Sequence, residues 1–185
     1  MKRIALILIM AAMVAACGPS REERIDQIED FEDSIFELAI AADSATADEL
    51  TEMYVAFADK YPADSLTPDF LLKAAEVQSN VLHTDRAIEL FDRVIDNYPD
   101  FEDVPICYFL KGKAYEDNSQ YEEAKQAYQT FVDTYPDHYM AEQTRMMIPY
   151  VGMSPEEMLS NILANANDTL IRQLTKETDS PVQSK

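Results

Sequence analysis

The side chains that most often perform catalysis or bind metal ions are few in this chain. It has two histidines, His83 and His138, and two cysteines, Cys17 and Cys107. A zinc site needs about three or four nitrogen or sulfur ligands within reach of one another. Neither histidine lies near a cysteine or the other histidine at ligand spacing. The sequence therefore predicts no metal site.

Carboxylates are abundant, with 35 acidic residues against 15 basic ones and a formal net charge of −20. Paired carboxylates could act as general acid and base, but the pairs recur along the chain and none stands out. Three glycines in total leave little material for a phosphate-binding loop, and no Gly-x-Ser-x-Gly or calcium-loop pattern is present. We predict no enzyme activity and no cofactor. The negative charge argues against nucleic acid as a partner.

The first 16 residues have the form of a signal peptide. Lys2 and Arg3 precede an apolar run that is too short to span a bilayer, followed by small residues. The stretch Val-Ala-Ala-Cys at 14–17 resembles the bacterial lipobox, which implies cleavage before Cys17 and lipidation of that cysteine. The alternative is an ordinary secretory signal with a chance cysteine.

Cleavage at this point would remove Lys2 and Arg3 and change the net charge from −20 to −22. Residues 17–21 would form a lipidated linker, and the lipid would provide the membrane attachment. Cys107 would then have no disulfide partner.

A repeat of 37 residues runs through the middle of the chain. Tyr-Pro pairs stand at 61–62, 98–99 and 135–136. The same period relates Pro68 to Pro105 and Ala87 to Ala124. Such a period indicates stacked structural units. Apolar residues at helical spacing before each Tyr-Pro pair predict two helices per unit, with units at about 22–62, 68–99 and 105–136.

Cap signals mark several helix starts. Ser20 with Glu23 is a predicted capping box for the first helix, Ser119 with Glu122 marks the second helix of the last unit, and Ser154 with Glu157 marks the C-terminal helix. Proline is expected to end the second helix of each unit, because it disfavours helical backbone in the residue before it.

The unit at 105–136 resembles the tetratricopeptide repeat. The matching positions are Tyr108, Gly112, Tyr115, Ala124, Tyr128, Phe131 and Pro136. Gly112 and Ala124 would let the two helices approach closely, and the tyrosines would fill the space around their crossing. The resemblance implies an all-α fold, a right-handed superhelix of antiparallel helix pairs, within a helical domain at 22–174. The period of 37, where the family has about 34, resembles repeats found in bacterial envelope lipoproteins.

Residues 137–174 are predicted to close the superhelix. An apolar stripe runs along the C-terminal helix at Met158, Leu159, Ile162, Leu163, Ala166, Leu170 and Leu174. A solenoid needs a cap at its open end, so we predict a capping helix. The alternative is a helix that docks on a partner. Residues 175–185 are polar and are expected to be disordered.

The resemblance also implies a concave groove, lined by the first helix of each unit, that holds a peptide or a partner protein. Candidate groove residues by offset are Leu72, Glu76, Ser79, Phe109, Lys113 and Glu116. The implied function is a non-catalytic adaptor of the bacterial envelope, accessory to outer-membrane-protein assembly or envelope organisation. The alternative is a surface-exposed lipoprotein that captures a glycan or a peptide.

The expected location is the outer membrane, where the periplasmic face is favoured over the cell surface. Gly18 after the cysteine is, by resemblance to enterobacterial sorting, compatible with that membrane. Glu22 and Glu23 resemble the acidic export signals of some lineages, so surface exposure stays open as an alternative.

Overall fold

The computed structural model describes residues 18–37 and 43–178, with side chains for residues 18–35 and 43–166. The predicted signal peptide, Cys17 and the tail from 179 onward lie outside the described residues. The described part is all-α and contains no strand. Its helices are α1 (Arg21–Glu37), α2 (Ser44–Lys60), α3 (Thr67–Asn80), α4 (Thr84–Asn97), α5 (Val104–Asp117), α6 (Tyr121–Thr134), α7 (Ala141–Met147) and α8 (Pro155–Thr178), with a short 3-10 turn at Ile148–Tyr150.

Consecutive helices pack against one another from α1 through α7. The predicted all-α solenoid of paired helices is confirmed. The first helices of successive units, α3 and α5, also contact each other, whereas the second helices α2, α4 and α6 make no comparable contact with one another in the described part of the chain. First helices that touch while second helices splay apart give a stack its curvature. The groove face is therefore the face of α3 and α5.

The Tyr-Pro pairs end the second helices in the same way three times. Tyr61, Tyr98 and Tyr135 each donate a backbone N–H bond of 2.9 Å to the carbonyl four residues earlier. Their φ angles are −128°, −131° and −126°, and the following proline prevents another helical turn. Two successive turns, each closed by a backbone hydrogen bond between residues three apart, then lead into the first helix of the next unit. They occur at equivalent positions after each Tyr-Pro pair. The repeat of 37 residues is thus a repeat of backbone conformation.

The close crossing of α5 and α6 depends on Gly112. A Cβ atom at this position would lie 2.5 Å from Cδ1 of Tyr128, well inside van der Waals contact. Tyr128 is 1% exposed, and its hydroxyl donates a 2.8 Å bond to Glu116. Ala124 is fully buried beside it. The roles predicted for Gly112 and Ala124 in the crossing are consistent with this packing.

Two of the three cap predictions are confirmed. Ser20 with Glu23 and Ser154 with Glu157 form reciprocal capping boxes, with bonds of 2.7 to 3.2 Å. The prediction for Ser119 is wrong, because Ser119 has φ +60° and makes no cap bond to α6.

The residues around Ser119 instead end α5 in a Schellman turn. The N–H of Gln120 bonds to the carbonyl of Tyr115 at 2.8 Å. Leu82, which stands 37 residues before Ser119, has the same φ of +60°, and the N–H of His83 bonds to the carbonyl of Gln78 at 3.0 Å. The turn inside the unit therefore has the same conformation in the units at 68–99 and 105–136.

Helix α8 does not close the end of the solenoid as expected. It packs extensively on none of the other described helices, and it runs to Thr178, beyond the end predicted at Leu174. Helix α6 is instead covered by α7, the 3-10 turn and the residue that follows it, because Met147, Ile148 and Val151 pack with Ala124 and Tyr128. Pro149 cuts the partial repeat short, because proline inside a helix removes a backbone donor.

Candidate functional site

An open cavity of about 300 Å³ lies between α3 and α5 on the groove face. Its lining comes from three helices: Glu76, Ser79 and Asn80 on α3, Phe91 on α4, and Leu110 and Lys113 on α5. Phe91 is fully buried and Leu110 is half-buried, so they form an apolar floor. Glu76 and Lys113 are exposed. The cavity therefore combines an apolar base with a charged rim of both signs.

Three of the six candidate groove residues meet at this cavity. Glu76 and Lys113 occupy equivalent positions, 37 residues apart, and Ser79 lies one turn after Glu76. Their role in binding stays a prediction, but their placement brings them to one accessible surface.

The other three candidates have structural contacts. Leu72 is 8% exposed and belongs to the main hydrophobic core. Phe109, at the equivalent position in the next unit, packs its ring 5.3 Å from Tyr128 and 5.8 Å from Phe131, measured between centroids. Glu116 accepts the hydroxyl bond of Tyr128. Leu72 and Phe109 thus offer a partner little surface, because at this position of the repeat the side chain is directed into the crossing of the two helices.

The charges of the cavity rim are unequally compensated. The ammonium group of Lys113 donates to Asp117 one turn later, so it already has a carboxylate partner. Although the residue is exposed, partial desolvation of its carboxylate by the cavity raises the pKa of Glu76, and the nearby Asp103 carboxylate raises it further, while Lys73 opposes the shift. A positive group placed beside Glu76 would relieve this unfavourable charge. The rim therefore favours a cationic group near Glu76.

The groove face continues toward α1 through a mixed polar and aromatic cluster. Lys73 on α3 bonds to Glu32 on α1 at 2.8 Å, and its Nζ atom lies 5.9 Å from the ring centroids of Tyr54 and Phe70. Tyr54 donates its hydroxyl proton to the same Glu32 carboxylate. This cluster joins the N-terminal helix pair to the unit that follows.

A second polar cluster, which the sequence did not indicate, surrounds His83. Its Nδ1 atom lies 2.8 Å from Oε1 of Gln78 and 3.3 Å from Asp48, and its Nε2 atom lies 3.1 Å from Oγ of Ser44. The side chains have the order of a serine–histidine–aspartate relay, but the shorter Nδ1 contact is with Gln78. The cavity beside His83 is not lined by Ser44. We interpret the cluster as a clamp between the start of α2 and the α3–α4 turn.

The comparisons with known proteins agree with this architecture. The family model of the tetratricopeptide repeat matches residues 69–100 and 107–138, which span most of α3 to α6. The match supports the assignment of these two repeats to the tetratricopeptide repeat family. Proteins of this family are typically non-catalytic scaffolds that bind other proteins. No curated protein matches the chain.

The matched repeats contain both walls of the cavity.

Across residues 18–37 and 43–178, no helix combines the length and the hydropathy that a membrane crossing requires. In the same residues, no group of three or more His, Cys, Asp or Glu side chains is placed to hold a metal ion.

Proposed function

We propose that this protein is a non-catalytic adaptor of the bacterial cell envelope, anchored by lipid at Cys17, which binds a segment of another envelope protein in the groove between α3 and α5. The observation on which this proposal rests is the cavity at Glu76, Ser79 and Lys113, which lies within the two matched repeats. Its apolar floor can bury a side chain of the partner, and its rim can bond to polar groups.

The charge balance supports a protein partner with basic groups. The chain has a formal net charge of −20, and a field of this sign attracts cationic surfaces. Lys113 is already paired with Asp117, which leaves Glu76 as the rim charge with the greater need of a counter-ion.

The lipid anchor is the second part of the proposal and has its own test. The support is the lipobox-like sequence that ends at Cys17. Cys17→Ser is expected to abolish incorporation of labelled fatty acid and to release the protein from the membrane fraction. Retention of both label and membrane attachment in this variant would contradict the anchor. We also propose that the anchored protein lies on the periplasmic face of the outer membrane. Protease treatment of intact cells should therefore leave the protein uncut.

The groove is tested by crosslinking in the intact native cells, followed by purification of the tagged full-length protein. Glu76→Lys reverses the charge on the cavity rim that favours a cationic group. Asp96→Lys is the matched control, because Asp96 is an exposed carboxylate on α4 and lies outside the cavity. Phe109 is unsuitable, since its replacement would disturb the core.

We expect one envelope protein to be recovered with the wild type and with Asp96→Lys, and lost with Glu76→Lys, because the new positive charge would repel a basic group of the partner. Equal recovery with both variants would place the interface elsewhere. Absence of any specific protein partner would contradict the adaptor and would leave capture of a glycan or peptide ligand as the function to measure.

A further inference from the structure

The chain that leads from the predicted anchor at Cys17 into α1 is hydrogen-bonded to the folded domain. The carbonyl of Pro19 accepts a 3.0 Å bond from Nζ of Lys60, at the end of α2. Two residues later, Arg21 donates to both carboxylate oxygens of Asp64 in the turn that follows α2, at 2.5 and 3.0 Å. The tether from Cys17 to Pro19 can span at most about 7 Å. An anchor at Cys17 would therefore hold the domain close to the membrane, without the slack of a flexible linker.

The part of the domain that these bonds join to the tether is the edge where successive units connect. Each second helix ends at this connecting edge and each first helix begins there, because consecutive helices are packed as antiparallel pairs. The hydroxyl of Tyr98 in the second connection donates a 2.9 Å bond to the carbonyl of Pro62 in the first, so these connections lie side by side. The turns inside the units, at Leu82 and Ser119, lie at the other ends of the helices.

The helices set the height of the groove above the connecting edge. Helix α5 has 14 residues and therefore separates the two edges by about 21 Å. Glu76 and Lys113 each lie nine residues from the start of their helix, which is about 14 Å along the helix from the connecting edge. With the short tether, a segment bound in the cavity would lie within roughly 20 Å of the membrane surface.

The connecting edge has no charge that would attract it to a membrane. The connections at 61–66, 98–103 and 135–140 contain five acidic residues and no lysine or arginine. Asp100 is exposed among them, and Lys60, which precedes the first connection, is bonded to the tether. Carboxylates are repelled by anionic headgroups. The orientation would therefore come from the tether and not from adhesion, so a longer tether should abolish it.

We propose that the connecting edge is the membrane-facing surface of this protein, and that the bonds of Pro19 and Arg21 hold it against the leaflet into which the lipid of Cys17 inserts. This inference rests on the proposed lipid anchor and extends it, because it fixes the orientation of the domain and the height of the groove. The partner segment that this height selects is membrane-proximal, within roughly 20 Å of the headgroups of the same leaflet.

The orientation is tested on vesicles, where chemical coupling replaces the cellular lipid. Residues 17–185 are coupled through Cys17 to maleimide lipid in phosphatidylcholine vesicles that carry an energy-transfer acceptor on their headgroups. Cys107 is buried and does not compete. A fluorescent amino acid is placed at Asp100 on the connecting edge or at Asn118, which is also exposed and lies at the other end of α5. We expect stronger energy transfer from position 100 than from position 118.

Changes in the tether show whether it sets this orientation. Insertion of eight Gly-Ser residues after Cys17 adds roughly 15 Å of flexible chain and should remove the difference between the two positions. Arg21→Gln with Lys60→Gln should reduce the difference, whereas Arg86→Gln with Lys125→Gln, which removes two charges from other surface ion pairs, should not. Equal transfer from both positions without the insertion, or a difference that survives the insertion, would overturn the proposal.

A failure of this proposal is distinguishable from a failure of the anchor. The vesicle experiment supplies the attachment chemically, so its outcome depends only on the tether and the domain. Fatty-acid labelling of the wild type and of Cys17→Ser measures lipidation alone. Lipidation in cells together with equal transfer on vesicles would leave the anchor in place and contradict the orientation.

Discussion

Replacing Gly112 by alanine is expected to destabilise the protein, although alanine is the better helix former. The new Cβ atom would lie 2.5, 2.6 and 2.9 Å from three carbon atoms of the Tyr128 ring. The ring cannot easily move away, because it is fully buried against Phe109 and its hydroxyl is bonded to Glu116.

The size of the effect follows from two opposing terms. Gly→Ala inside a helix gains about 1 kcal/mol from backbone propensity. Overpacking a tight core costs about 1–3 kcal/mol, and contacts this short on a fixed ring place Gly112→Ala at the upper end. The expected net loss is about 2 kcal/mol in the free energy of unfolding. For a chain of this size, that corresponds to a melting temperature lower by roughly 4–8 °C.

Thermal unfolding followed by circular dichroism measures the change, and a second variant isolates its cause. Tyr128→Leu replaces the rigid ring by a shorter side chain that can turn aside. In that background Gly112→Ala should cost much less than in the wild type, because the two sites are coupled. A melting temperature that stays the same or rises in the single variant Gly112→Ala would refute the close crossing of α5 and α6.

Three further predictions follow from other parts of the structure. Leu82→Gly should raise the melting temperature, because the exposed Leu82 (54%) has φ +60° and the left-handed conformation costs a non-glycine residue about 1–2 kcal/mol. A lower melting temperature would contradict the left-handed backbone at this position. Desolvation and Asp103 raise the pKa of Glu76 in the folded state, so its ionisation destabilises the fold as the pH rises, and Glu76→Gln should stabilise the protein at pH 7 but not well below the ordinary pKa of 4.5. Denaturant titrations at both pH values would measure this difference, and an effect of equal size at both would contradict it. Burial raises the pKa of Cys107 to about 12, so its thiol should resist alkylation at pH 8 until denaturant is added. Rapid alkylation of the folded protein would contradict the burial of Cys107.

Much of the solenoid is predictable from the sequence because its determinants are local. Each Tyr-Pro pair ends a helix by a rule that involves only neighbouring residues, and the structure repeats the same helix end at Tyr61, Tyr98 and Tyr135. The capping boxes at Ser20 and Ser154 are local in the same sense.

The features that the sequence did not predict depend on competing or distant interactions. A Schellman turn usually has glycine at the left-handed position; here the chain has Leu82 and Ser119, so the signal is missing and Ser119 resembles a helix start. The groove prediction needed the rotation of α3 and α5 about their axes. That rotation turns Leu72 and Phe109 into the core and leaves Glu76 and Lys113 at the cavity.

The stripe on α8 illustrates a limit of periodicity. An apolar face at helical spacing indicates that something will cover it, but the same spacing suits a cap, a partner or a second copy. Only the packing of the neighbouring elements decides among them. In the structure α7 and the 3-10 turn already cover α6, which leaves the α8 face exposed.

The most direct test of the adaptor is photo-crosslinking from single positions in living cells. A photoreactive amino acid at Ser79, which lines the cavity, is compared with the same amino acid at Asp96, an exposed position on the second helix α4. The proposed function predicts a discrete adduct with one envelope protein from position 79 and none from position 96. No adduct from position 79, or the same adducts from both positions, would contradict a partner bound in the groove.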